Sequence, residues 1–143
     1  MSIRTAIVGM LLSLASFSAA IAEIPNRTPQ QLREGASQIV TGKVQQIYSM
    51  EEKSGDYVFT RSVAAVSVDA VEKGVGISKG ELVYVRFWRK KYVGAGRPAP
   101  GHFGHRGIPA VGDVVRIYLK KADDGGFDVV GPNGFDVVKS EEQ

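Results

Sequence analysis

The spacing of apolar positions changes along the chain, and each change predicts a different element. A mostly apolar run from Ala6 to Ala20 comes first, interrupted by Ser and Gly. "NRTPQQLREGA" then has helical grammar: Thr28 suits the N-cap, Pro29 the first helical position, Gln31 completes a capping box, and Gly35 is a stop. Beyond Gly35 the period falls to two. Ser37–Tyr48 reads as a strand with Gly42 inside it, where a glycine marks a bulge or sharp bend. "EEKSGD" reads as a turn, and "YVFTRSVAAVSVDAVEKG" as a long strand with Val66, Val68 and Ala70 on one face and Ser67 and Asp69 on the other. "GVGISKG" breaks the pattern. "ELVYVRFW" resumes it, with Leu82, Tyr84, Arg86 and Trp88 against Val83, Val85 and Phe87. "GDVVRIYLKK" is the next strand and "ADDGG" a hairpin-type turn. "FDVVGPNGFDVVK" supplies one or two closing strands hinged at Pro132-Asn133-Gly134. Short strands with glycine punctuation predict an all-β class: a small antiparallel sheet of five or six strands that manages its edges by closing on itself.

The amino-terminal run changes the compartment. Arg4 precedes it, Ser and Gly interrupt it, and it ends in Ala20-Ile21-Ala22, a small-x-small exit before Glu23. A positive head, an apolar middle too short to span a bilayer comfortably and a small-residue exit predict a cleaved signal peptide over 1–22. The expected product is one domain, 23–143, secreted or periplasmic, with no membrane span after cleavage. The chain has no cysteine, which excludes disulfides, thiolate metal sites, a cysteine nucleophile and a lipid-anchoring cysteine.

"GHRGIPAVGDVVRIYLKK" and "DVVGPNGFDVV" resemble a diffuse group of exported bacterial β-barrel domains with a Gly-rich loop, a "VG(D/E)xVxxxL" strand and a closing "VGxxGxF" hairpin. These are similar to OB-fold proteins, in the broad class that also holds the netrin-like and metalloproteinase-inhibitor barrels. The resemblance covers Ser37 to Val138 and implies an OB-like barrel. It departs from that pattern twice. The inhibitors meet zinc through an N-terminal cysteine that this chain lacks, and a Gly-rich loop, Gly94–Gly107, replaces the usual helix between the third and fourth strands. The resemblance therefore speaks for fold and not for inhibition.

Charge places the candidate site. The net charge is +3, but its distribution is uneven. "VRFWRKKYVGAGRPAPGHFGHRG" holds six cationic side chains, four aromatic rings, five glycines, both histidines and no acid, while Asp123, Asp124, Asp128, Asp136, Glu141 and Glu142 crowd the end of the chain. Rings stack on flat ligands while cations hold sulfate or phosphate, which is how oligosaccharide- and oligonucleotide-binding barrels work. The candidate ligand-binding residues are Tyr84, Arg86, Trp88, Arg89, Lys90, Lys91, Tyr92, Arg97, His102, Phe103, His105 and Arg106. Outside the cytoplasm the expected partner is a protein or an anionic polysaccharide, with no specific nucleic acid. Deleting Gly94–Gly104 is expected to remove binding and leave the sheet folded.

Other chemistries find less support. His102 and His105 suit Zn²⁺ or Cu²⁺ as ligand types, but a complete site needs two more ligands, and the alternative is a histidine bonded to a backbone carbonyl. The glycines lack both the P-loop Lys-Ser/Thr pair and a strand–GxGxxG–helix context. No nucleophile with a base and no paired carboxylates stand out, so no enzyme, cofactor or metal is expected. The expectation is an exported binding or inhibitory module. The alternatives are a structural envelope-assembly subunit and a small metal-handling protein using His102 and His105.

Overall fold

The computed structural model describes residues 24–140, so the segment 1–22, expected to be a signal peptide, lies outside the described residues. Helix α1 (Pro29–Gly35) is followed by six strands: β1 (Gln38–Ser54), β2 (Tyr57–Lys73), β3 (Leu82–Tyr92), β4 (Val114–Lys121), β5 (Phe127–Val129) and β6 (Phe135–Lys139). The capping box forms as its residues predict: Gln31 N–H donates to the Thr28 hydroxyl while Thr28 N–H donates to the Gln31 side chain. Among the described residues no helix is long and apolar enough to cross a membrane.

One sheet holds all six strands in the order β1-β2-β3-β5-β4-β6, and a further β1–β4 pairing curls it into a partial ring. The expectation of a fully antiparallel sheet is corrected. β3 and β5 run parallel, joined at Val85↔Phe127 and Arg86↔Asp128. The chain reaches β5 by way of β4, and β5 pairs antiparallel with β4, so closing the ring on β3 leaves β5 parallel to it.

β1 and β2 bend to serve both the ring and a projecting ribbon. The β1–β2 register shifts between Thr41 and Gly42 and between Val44 and Gln46. At Gly42 a Cβ would stand 2.3 Å from the Ser67 carbonyl oxygen, so only glycine lets the strands approach this closely. Gln38–Lys43 of β1 pair with β4, whereas the rest of β1 pairs with β2 alone and projects. Here the expected turn is also corrected. Glu51–Ser54 are strand residues, and the chain reverses only at Gly55-Asp56, between Ser54 and its partner Tyr57. Their charge reads as a turn in sequence, but on a solvated ribbon it is tolerated, and Glu52 pairs with Arg61 across the strands at 2.8 Å. Asp56 C=O accepts from Val93 N–H, tying the tip to the end of β3.

Inward positions of β1–β4 form the main core, with Val40, Val66, Val85, Val115, Ile117 and Leu119 fully buried and Phe87 and Phe135 packed edge to face at 5.0 Å. A second cluster of Leu32, Ala36, Ile39, Tyr118 and Val130 seats α1.

Candidate functional site

The alternation expected of β3 is present: Val83, Val85 and Phe87 are buried, while Tyr84 is exposed and Arg86 and Trp88 are half-buried on the opposite face. Register then sets three cross-strand rows on that outer face: Tyr48–Val63–Arg86, Met50–Arg61–Trp88 and Glu52–Phe59–Lys90. Together with His102 and Gly131 the first two rows line a groove of about 680 Å³. The Trp88 ring lies between His102, at 5.1 Å, and Phe59, at 6.3 Å. The run of rings continues through Tyr57 to Tyr92 and Phe103, at 5.4 and 6.1 Å from it. Lys90 Nζ stands 4.5 Å from the Tyr57 ring centre and 5.1 Å from that of Phe103, a cation shared by two π faces.

The loop after β3 is more structural than its glycines suggest. Phe103–His105 run back along the end of β3: Lys90 N–H donates to Phe103 C=O, His105 N–H donates to Trp88 C=O, and Arg89 and Gly104 form an antiparallel bridge. This covers an edge that β5 leaves open. Deleting Gly94–Gly104 would therefore also remove Phe103 and Gly104 from a paired edge. His105 is buried, edge-on to Phe87 and Phe135. Its Nδ1 accepts from Trp88 N–H at 3.1 Å and its Nε2–H donates to Val129 C=O at 2.7 Å, so both nitrogens have backbone partners. His102 Nδ1 accepts from Gly104 N–H at 2.9 Å. Burial first, and then the neighbouring His105, Arg106 and Lys90, hold His102 below the usual histidine value. Among the described residues no three His, Cys, Asp or Glu side chains converge as a metal site.

The remaining candidates divide. Arg86 is clamped by carboxylates, Nη1 and Nη2 to Asp124 at 2.7 and 3.1 Å and Nε to Asp128 at 2.7 Å. This fork ties the β4–β5 turn to β3 and neutralises a cation assigned to ligand binding. Arg106 donates to Asn26 Oδ1 at 2.7 Å and to Ile24 C=O, so it holds the segment before α1. Tyr84 and Arg97 are exposed and line neither the outer groove nor the pocket behind it. Arg89 and Lys91 point to the other face of the ribbon from Trp88. Tyr48, Met50, Tyr57, Phe59 and Arg61 join the site without having been singled out. The signal for the last three was present in "YVFTR", where they alternate on one strand face.

Hydrogen bonds from Arg86 and then from Gly126 N–H bring the Asp124 carboxyl down to about 2. Its folded value lies below the unfolded one, so the stabilisation it supplies is complete above about pH 4 and fades as pH falls toward 2. The Asp124 carboxyl signal in an NMR acid titration is expected to move only near the bottom of that window. A midpoint at the ordinary aspartate value would show the fork to be open in solution.

No protein-family model, curated protein or solved structure matches this chain.

Proposed function

We propose that this chain is an exported binding module, an OB-like barrel that holds an acidic polysaccharide along the outer face of β1–β3. The observation that carries this is the groove floored by Trp88. A half-buried indole between His102 and Phe59 continues into further rings, and Lys90 is poised over two of them. Sugar rings stack on such faces while cations hold the sulfate or carboxylate groups between them. The pairing sequence β1–β2–β3–β5–β4–β1 supports the OB-like reading, because OB barrels bind on the face of strands 2 and 3 flanked by the loops joining strands 1–2 and 4–5. Here the same face is flanked by the projecting β1–β2 hairpin and by the turn that Arg86 clamps.

Titration with dextran sulfate, read through the fluorescence of the single tryptophan, tests the proposal. A saturable change is expected at about 50 mM salt, with affinity falling on the order of tenfold or more by about 200 mM as counterions are released. A silent Trp88 at low salt overturns it.

A second reading, a protein partner in the same groove, is favoured by the pairing of Arg61 and Arg86 with acids and by the exposed Tyr48 and Met50. A partner of that kind binds with little dependence on salt.

A further inference from the structure

The inner face of the same ribbon carries a pocket of about 460 Å³ at the mouth of the ring, a volume in the range of small-molecule sites. Ile47, Phe87 and Ile108 give it an apolar floor, and Thr60 and Ser62 line it with hydroxyls. Ser62 and Ser49 share a hydrogen bond at 2.8 Å. Register sets Thr60 directly opposite Arg89 and Val58 opposite Lys91. The lining includes Arg89 and Lys91 and no carboxylate; Lys90 borders the pocket but turns its ammonium to the Tyr57 and Phe103 rings.

That charge balance separates it from the outer groove, where Arg61 is paired with Glu52 and Arg86 with Asp124 and Asp128. Among the described residues no ion pair holds Arg89 or Lys91, and both are exposed. The acid of β1 on this face, Glu51, sits opposite Thr60, but it is exposed and lies outside the pocket lining. Two cations two residues apart on one strand face, with hydroxyls beside them and an apolar floor behind, suit a tetrahedral oxyanion attached to a ring. The guanidinium offers a planar fork, the ammonium a point charge and the floor a surface for the ring.

We propose that this pocket is a separate subsite for one sulfate or phosphate ester carried on a sugar-sized ring. It goes beyond the groove reading: a protein or an uncharged ligand on the outer face would leave it intact.

The test is an amide NMR titration of the purified protein with glucose 6-sulfate, glucose 6-phosphate and glucose. Saturable shifts are expected at Thr60, Arg89 and Lys91, which line this pocket and not the outer groove, with at least one of the two esters, and none with glucose. Which ester binds, or whether both do, tells a sulfated source from a phosphorylated one. The Trp88 indole N–H is expected to stay in place, so failure of the outer groove and failure of this pocket are read on different signals. The exposed double substitution Arg89→Gln, Lys91→Gln is expected to weaken ester binding about tenfold or more. Equal binding of glucose, shifts confined to the Trp88 face, an unchanged affinity in the double variant or silence with both esters each overturns the proposal.

Discussion

A Gly104→Ala protein is expected to lose about 2–5 kcal/mol of stability, a large share of the margin of a domain this size. Gly104 has φ +95°, and a Cβ there would stand 2.3 Å from the Trp88 carbonyl oxygen and 2.7 Å from Arg89 Cα. The conformation alone costs a side chain about 1–2 kcal/mol. The clash is with backbone that cannot swing aside, which adds a strain of about 1–3 kcal/mol. Gly96 supplies the control. It also has a positive φ, +75°, but open space surrounds its missing Cβ, so Gly96→Ala carries the conformational cost without the clash. Denaturant unfolding of the two variants side by side is the measurement. Equal losses would mean that Phe103–His105 do not dock on β3, and the edge cover would be lost with them.

His105→Phe is expected to cost a similar amount, about 2–5 kcal/mol, by a different route. Phenylalanine keeps an aromatic ring against Phe87 and Phe135 but can bond neither Trp88 N–H nor Val129 C=O. Each orphaned buried group costs about 1–3 kcal/mol. The Trp88 amide should also exchange with solvent faster, since its N–H points away from β2 and His105 is the acceptor it has. A variant as stable as the parent, with an unchanged Trp88 amide, would show that this imidazole is packing and not a clasp. The two variants bear on function as well, because Gly104 and His105 hold the backbone on which the Trp88 ring is presented to the groove.

The amount legible in the chain differs from element to element. The helix start was legible because a capping box is a local device, complete within four residues from Thr28 to Gln31. The bend at Gly42 and the two faces of β3 were legible for the same reason: strand alternation is set by backbone geometry and needs no partner. The candidate stretch was found from charge and ring content. Its sorting was not, since composition weighs neighbours along the chain and a binding face is made of neighbours across it. Arg89 and Trp88 are adjacent in sequence and lie on opposite faces, whereas Trp88 and Arg61 are far apart in sequence and share a row.

By itself, then, the sequence determined a cysteine-free, strand-rich chain with a capped first helix, a glycine-bent first strand and a basic, aromatic third strand of known facing. Tertiary structure alone decided what each face meets. It set Asp124 and Asp128 on Arg86 from 38 and 42 residues away, ran β1 on through a charged stretch that reads as a turn, and turned the Phe103–His105 part of a Gly-rich loop into the cover of an edge. Period two reports which side of a strand is buried. Which strand comes alongside, in which direction and in what register, is decided only when the sheet curls and its buried face and edge hydrogen bonds must all be satisfied at once.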